Sequence, residues 1–228
     1  MPLLFLFLDG IGLGTNDPEI NPFVRAKMPT LRTLLGDQPL IADAAPYHGE
    51  RATLLALDAN LGVDGMPQSA TGQATLLTGI NIPAEIGYHY GPKPNADVRE
   101  FLLNPTTISE VPERSEAQSK DAATEPAKET AAPQVHAPRS SIAGQTIFSW
   151  LRAENKVAAL LSAYPDGYFK GIDSGKRMYS AIPLAVTQAG LPLFTAEDIY
   201  AERALAADFT GEGWREMLKD EKAPLYTP

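Results

Sequence analysis

The sequence predicts an α/β fold: a largely parallel central sheet flanked by helices. Three apolar runs carry that expectation. Leu3–Leu8 is stopped by Asp9-Gly10, Thr53–Leu57 is stopped by Asp58, and Val157–Leu161 forms the third. Short continuous runs suit strands covered on both faces, as parallel strands are, whereas strict alternation would mark a sheet with one wet face. Helical spacing fills the stretches between them, and strand signals alternating with helix signals point to α/β architecture.

In chain order, Leu3–Leu8 is the expected first strand, and the glycine-rich stretch from Gly10 to Pro18 is a long loop after it. Leu31, Leu34 and Leu35 recur at helical spacing between Pro29 and Gly36. Thr53–Leu57 is the second strand, and Thr71–Leu77 reads as a helix stopped before Gly79. Composition then changes. Pro105–Ser141 holds no aromatic residue and no Leu, and is rich in Ala, Pro, Glu, Ser, Thr and Lys. Such a segment buries too little apolar surface to offset its ordering entropy, so it is expected to be a disordered insertion. The chain therefore divides into 1–104, the N-terminal part of the α/β core; 105–141, the insertion; and 142–228, the continuation of that core. In the third part Thr146–Ala153 is an expected helix with Ile147, Phe148 and Leu151 on its core face. Val157–Leu161 is a strand, Tyr164–Gly167 a turn, Ser180–Ala189 a helix with Pro183 in its first turn, and Ala196–Ala206 another. Thr210 is placed to cap a last helix through Trp214 to Leu218. Nothing from Ala223 to Pro228 reads as a closing element, so the α/β part is expected to be cut short.

At 228 residues the chain is long enough for one domain with a sizeable core, or two small ones. Nineteen Lys and Arg against 28 Asp and Glu give a net charge of −9, which argues against a general nucleic-acid binder, since phosphate contacts need clustered cations. The absence of Cys removes disulfides, thiolate zinc sites, iron–sulfur clusters and cysteine nucleophiles. No run reaches the roughly 18 apolar residues that span a bilayer, and the apolar opening lacks the basic flank of a secretory signal. The expected location is cytoplasmic, with no membrane partner.

Two constellations could carry chemistry. Asp9 ends the first expected strand, where ligands of open α/β sheets gather. Its carboxylate either holds a cation or substrate there, or caps the glycine-rich turn. The spacing Gly10-Ile-Gly12-Leu-Gly14 departs from a dinucleotide fingerprint, and no second strand ends in an acid about 20 residues on. Ser69, in Gln68-Ser-Ala-Thr-Gly-Gln-Ala-Thr-Leu-Leu-Thr-Gly79, precedes a helical stretch. It is either an ordinary N-cap or a hydroxyl exposed to the unpaired N–H groups and positive dipole end, which favour a bound phosphate. It lacks the G-x-S-x-G context of a hydrolase elbow. His89 lies in a Gly- and Pro-rich loop soon after this helix. Lys93, Lys176 and Arg177 either meet a substrate anion or are solvated surface charges.

Together, Leu6-Phe-Leu-Asp9-Gly-Ile-Gly-Leu-Gly14 and Gln68–Gly79 resemble the alkaline phosphatase superfamily. Thr75-Leu-Leu-Thr-Gly79 is similar to the stretch six residues past the nucleophile in its phosphodiesterase branch, which selects Ser69 with Thr71 as runner-up. Gly87-Tyr-His-Tyr-Gly-Pro-Lys-Pro-Asn95 resembles the bacterial metalloenzymes related to cofactor-independent phosphoglycerate mutase and phosphopentomutase, and Asn155–Tyr179 and Ala207–Trp214 fit the same group. The resemblance implies a metal-dependent phosphatase or phosphomutase acting on a small phosphorylated substrate. Asp9 would bind metal, Ser69 would be both metal ligand and nucleophile, and two divalent ions (zinc, manganese or magnesium) would clamp the phosphate. His89 and Lys93 are the candidate substrate-binding residues. The family's later ligands, an Asp-x-x-x-His, an Asp-His pair and a further His, do not occur. His48, His89 and His136 are the only histidines and none has Asp at the required offset. The chain therefore resembles the front half of such an enzyme, and the alternative is a non-catalytic remnant or a phosphate- or metal-binding module of the same fold.

Overall fold

The computed structural model describes residues 2–103 and 145–226, and the expected insertion at 105–141 lies outside them. Ten α-helices and one short 3-10 helix (Ala42–Ala44) are found among the described residues. The first two are short: α1 (Pro22–Arg25), whose N-cap Asn21 accepts the Phe23 N–H, and α2 (Pro29–Leu34), which stops at Gly36 with φ +63° as its spacing predicts. Two strands follow, β1 (Tyr47–His48) and β2 (Thr53–Leu54), paired antiparallel with Tyr47 opposite Leu54. Then come α3 (Ser69–Thr78), α4 (Ile82–Ile86) and α5 (Ala96–Leu103). After the undescribed residues lie α6 (Ile147–Ala153), α7 (Asp166–Asp173), α8 (Ala181–Gln188), α9 (Ala196–Tyr200) and α10 (Glu212–Leu218).

The main core joins both described parts of the chain. Ala70, Ala74 and Leu77 of α3, Ile82 of α4 and Val98 and Leu102 of α5 pack with Ala181, Leu184 and Ala185 of α8. Ala70, Ala74, Ala181 and Ala185 are fully buried, and such small side chains on facing helices let the backbones approach closely. Val186 of α8 turns toward Tyr168 and Leu193, so α8 is wedged between two clusters. A third cluster gathers Ala163, Ile199, Ala204, Ala206, Trp214 and Ala223.

The molecule is mixed but mainly helical, and no largely parallel sheet forms among the described residues. Leu3–Leu8 is not a buried strand: it pairs with nothing, and Leu3, Leu4 and Phe5 are exposed. Only the first two residues of Thr53–Leu57 enter a ladder, leaving Leu55 and Leu57 exposed. Val157–Leu161 forms no strand either: only the Leu161 carbonyl at its end accepts a backbone bond, from Leu205 at 2.8 Å, and Val157 is wholly exposed. An extended segment becomes a strand only when a neighbour takes its backbone groups; among the described residues Leu3–Leu8 has no such neighbour, and the other two runs have one only at an end. Isolated contacts do have parallel sense: Gly14 with Ile41, Ser162 with Leu205, and Ala163 with Phe194. Two helical expectations also change. Pro165-Asp-Gly167 opens α7 instead of forming a free turn, because Pro165 serves as its N-cap. The helix expected over Ala196–Ala206 stops at Tyr200, where Glu202 takes φ +55°.

Candidate functional site

The site is built around the N-terminus of α3. Gln68 is its N-cap and its side chain makes no capping bond, so Ser69 is the first helical residue and not the cap. The Thr71 N–H donates to the Tyr90 carbonyl (3.0 Å), and the Gly72 N–H donates to the Gln68 carbonyl (2.9 Å). The amides of Ser69 and Ala70 and the Ser69 hydroxyl have no such partner among the described residues. Two N–H groups and one hydroxyl thus remain at the positive end of a ten-residue helix. Ser69 is half-buried and Ala70 fully buried, which leaves the Ser69 amide and hydroxyl as the donors open to an anion; a helix terminus stabilises one by about 0.3–1 kcal/mol.

Asp9 is brought to the same helix. Gln73 Nε2 donates to Asp9 Oδ2 at 3.2 Å. Gln73 stands four residues after Ser69 and therefore lies on the same face, about 6 Å along the axis. Gly10 turns the chain away with φ +70°, and Gly14 is pressed on Asn21: a Cβ there would come within 2.9 Å of Asn21 Nδ2. Asn21 donates to the Thr15 carbonyl, closing the loop around a cavity of about 260 Å³ lined by Gly10, Gly12, Gly14 and Asn21 among others.

The loop Gly87–Asn95 crosses the start of α3. Tyr90 N–H donates to Thr71 Oγ1 at 3.2 Å, adding to the backbone bond in the other direction. Gly91 lies so close that a Cβ would be 3.0 Å from Ser69 N. His89 Nε2 donates to the Val63 carbonyl at 3.1 Å. Lys93 Nζ donates to the Met178 carbonyl at 2.5 Å. Partial burial, and then the charge of Arg177, hold its pKa below the ordinary lysine value.

Asp9, Ser69, His89 and Lys93 are therefore all tied to α3 or to the loop sealing it. Gln73 and Gly91, which help position them, were not singled out by the sequence, and Thr71 stood out there only as a second choice of nucleophile. Gln73 was findable as the residue one turn past Ser69, whereas the Thr71–Tyr90 pairing had no local signal. His48 lies apart in β1, and His136 is outside the described residues. The two metal ions implied by the resemblance do not fit this donor set. Among the described residues no group of three or more His, Asp or Glu side chains could hold a metal, and Asp9 with Ser69 supplies only two side chains. Divalent cations take four or more ligands each.

In comparisons with protein-family models, curated proteins and solved structures, none matched the chain. No helix among the described residues is long and apolar enough to cross a membrane.

Proposed function

We propose that the chain carries the phosphate-accepting part of a phosphatase- or phosphomutase-like phosphoryl-transfer site, with Ser69 as the acceptor of the phosphoryl group. The observation that supports this most is the Gln73–Asp9 hydrogen bond, which ties a carboxylate to the helix whose first residue is a serine with a free hydroxyl. The Ser69 amide would hold a phosphate oxygen, and Ser69 Oγ, once deprotonated, would attack phosphorus opposite the departing ester oxygen. Divalent ions would supply activation of that hydroxyl. The residues described do not complete a site for them, so Asp9 is proposed as one ligand of a larger set. On this reading the substrate is a small phosphorylated molecule and not a nucleic acid, and the location is cytoplasmic.

A second reading, a phosphate- or metal-binding module without turnover, is favoured by the missing third ligand. Ester hydrolysis with zinc, manganese or magnesium, run beside Ser69→Ala and Asp9→Ala, separates the two. The expected result for this chain alone is little or no turnover, because a helix terminus contributes about 1 kcal/mol at most where enzymes supply 8 kcal/mol or more. Phosphate should nonetheless bind, and bind less well to Asp9→Ala in the presence of metal. Equal phosphate binding by wild type, Ser69→Ala and Asp9→Ala would refute both readings.

A further inference from the structure

The sequence holds the dipeptide Asp-Gly three times, at Asp9-Gly10, Asp64-Gly65 and Asp166-Gly167. In such a pair the glycine nitrogen can close a five-membered ring on the aspartate side chain, because a residue without Cβ leaves its nitrogen open to approach. The fold treats the three pairs differently. Asp166 and Gly167 belong to the first turn of α7, where helical backbone angles are fixed. Asp9 is held by Gln73, whose Nε2 donates to its Oδ2 at 3.2 Å. Asp64 and Gly65 are both exposed, in the loop between β2 and α3, outside any helix or strand. Gly65 takes φ +117°, a conformation open to glycine and to almost no other residue.

His89 braces this turn on both sides of Asp64. Its Nε2 donates to the carbonyl of Val63, the residue before, and its Cδ2 lies 3.6 Å from where a Cβ on Gly65, the residue after, would stand. Asn81 Nδ2 holds the loop further back, at the Leu61 carbonyl (2.8 Å). The flanks of the turn are therefore anchored while Asp64 itself faces solvent. Ring closure needs only rotation about the χ1 and ψ of Asp64, which no regular element restrains.

We propose that Asp64-Gly65 is a self-modification site, at which the folded chain converts aspartate to isoaspartate. The Gly65 nitrogen attacks Cγ of the protonated Asp64 carboxyl. A C–N bond forms, and one carboxyl oxygen leaves as water with the carboxyl proton and the amide proton. Water then opens the succinimide. Addition at the Cγ carbonyl restores aspartate; addition at the α-carbonyl leaves the main chain running through Cβ and Cγ. No oxidant or cofactor is consumed, and the mass of the chain is unchanged. The isoaspartyl form carries one more backbone atom between Val63 and Gly65, so the two contacts of His89 lose their present spacing. Gln68, the N-cap of α3, is four residues further on, which brings the change to the entry of that helix.

The test keeps the full chain folded in warm neutral buffer beside a sample in urea. Isoaspartate is counted by methyltransferase labelling and located by peptide fragmentation. In the folded chain it should accumulate at Asp64 ahead of Asp9 and Asp166, whereas in urea the three should differ little. Asp64→Glu, which would need a six-membered ring, should lose the label at that position and keep it elsewhere. Asp64→Asn reaches the same succinimide by expelling ammonia, so its conversion is read directly from the rise in intact mass. The His89 ring resonance, assigned with His89→Gln, should shift in proportion to the isoaspartate formed. Absence of label at Asp64 in the folded chain, or as much at Asp9 or Asp166, overturns the site. A His89 resonance that stays in place while isoaspartate accumulates overturns its coupling to His89.

Discussion

Thr71 does several jobs with one hydroxyl. Fully buried, it accepts the Tyr90 N–H and approaches the Gln68 and Tyr90 carbonyls at 3.2 and 3.3 Å, so that it welds the loop Gly87–Asn95 to the first turn of α3. Thr71→Val keeps the shape and removes those bonds. It should cost about 1–3 kcal/mol, read as a lower denaturation midpoint with an unchanged slope. Tyr168 is the opposite case. Its hydroxyl is buried without a hydrogen-bond partner among the described residues, and burial first, then Tyr179, pushes its pKa up to about 12. An unpaired buried donor is a cost, so Tyr168→Phe should leave the midpoint unchanged or raise it. A clear loss of stability there would mean that the hydroxyl has a partner. Neither role was visible in the sequence. Thr71 stood out only as a second choice for nucleophile, and its bonding depends on a residue 19 positions away.

Helices were legible where their stop signals were local. α3 ends at Gly79 in the left-handed region, and α6 begins at Thr146, whose hydroxyl accepts the Ser149 N–H, both as the residue types indicate. The reading failed where tertiary contacts decide. α9 is closed by Thr195 and Asp198 in a capping box and ends early, while Ala204 and Ala206 are buried beside Trp214 without being helical. α9 and α10 are joined through one carboxylate. Asp220 Oδ2 accepts from Tyr200 Oη at 2.6 Å and from Trp214 Nε1 at 2.9 Å. Burial opposes the charged form of Asp220, but these bonds and the Lys222 and Ala223 amides outweigh it and hold the pKa below the ordinary aspartate value. The stabilisation is therefore complete above the unfolded value near 3.9 and drains away as pH falls through the lower folded value. Tyr200 moves the other way, to about 12, chiefly through its bond to Asp220, so its share persists below about pH 10 and is lost as pH rises through 12. Asp220→Asn should lower the melting temperature at neutral pH by about 2–4 °C, the shift expected for about 1 kcal/mol in a chain of this size. It should also flatten the acid limb below pH 4. An unaltered acid limb would contradict this account.

For the whole molecule, the expectation of three buried strands failed for a reason the residues themselves supply. Apolar runs show that a segment wants cover; they do not show what covers it. Leu3 is 87% exposed, Leu57 83% and Val157 100%, so the surface forgoes roughly 1.5–3 kcal/mol for each large side chain left in water. The candidate site was more legible than the sheet, because Asp9 and Ser69 announce themselves by position next to glycine and at a helix start. Exposed apolar strips and open strand edges invite association. The chain should therefore bind an environment-sensitive dye such as anilinonaphthalene sulfonate in its folded state, and Leu4→Glu with Phe5→Glu should reduce that signal while shifting stability by no more than about 0.5 kcal/mol per site. Undiminished dye binding would locate the sticky surface elsewhere. The uncovered Leu3–Leu8 run has a thermodynamic consequence as well. A melting temperature measured on such a molecule is a titration: any species that covers the strip only in the folded state adds RT ln(1 + [L]/Kd), about 2.7 kcal/mol at a hundredfold excess over Kd. Diluting the protein, or adding a detergent below its micelle concentration, would then move the unfolding curve without altering a single internal contact.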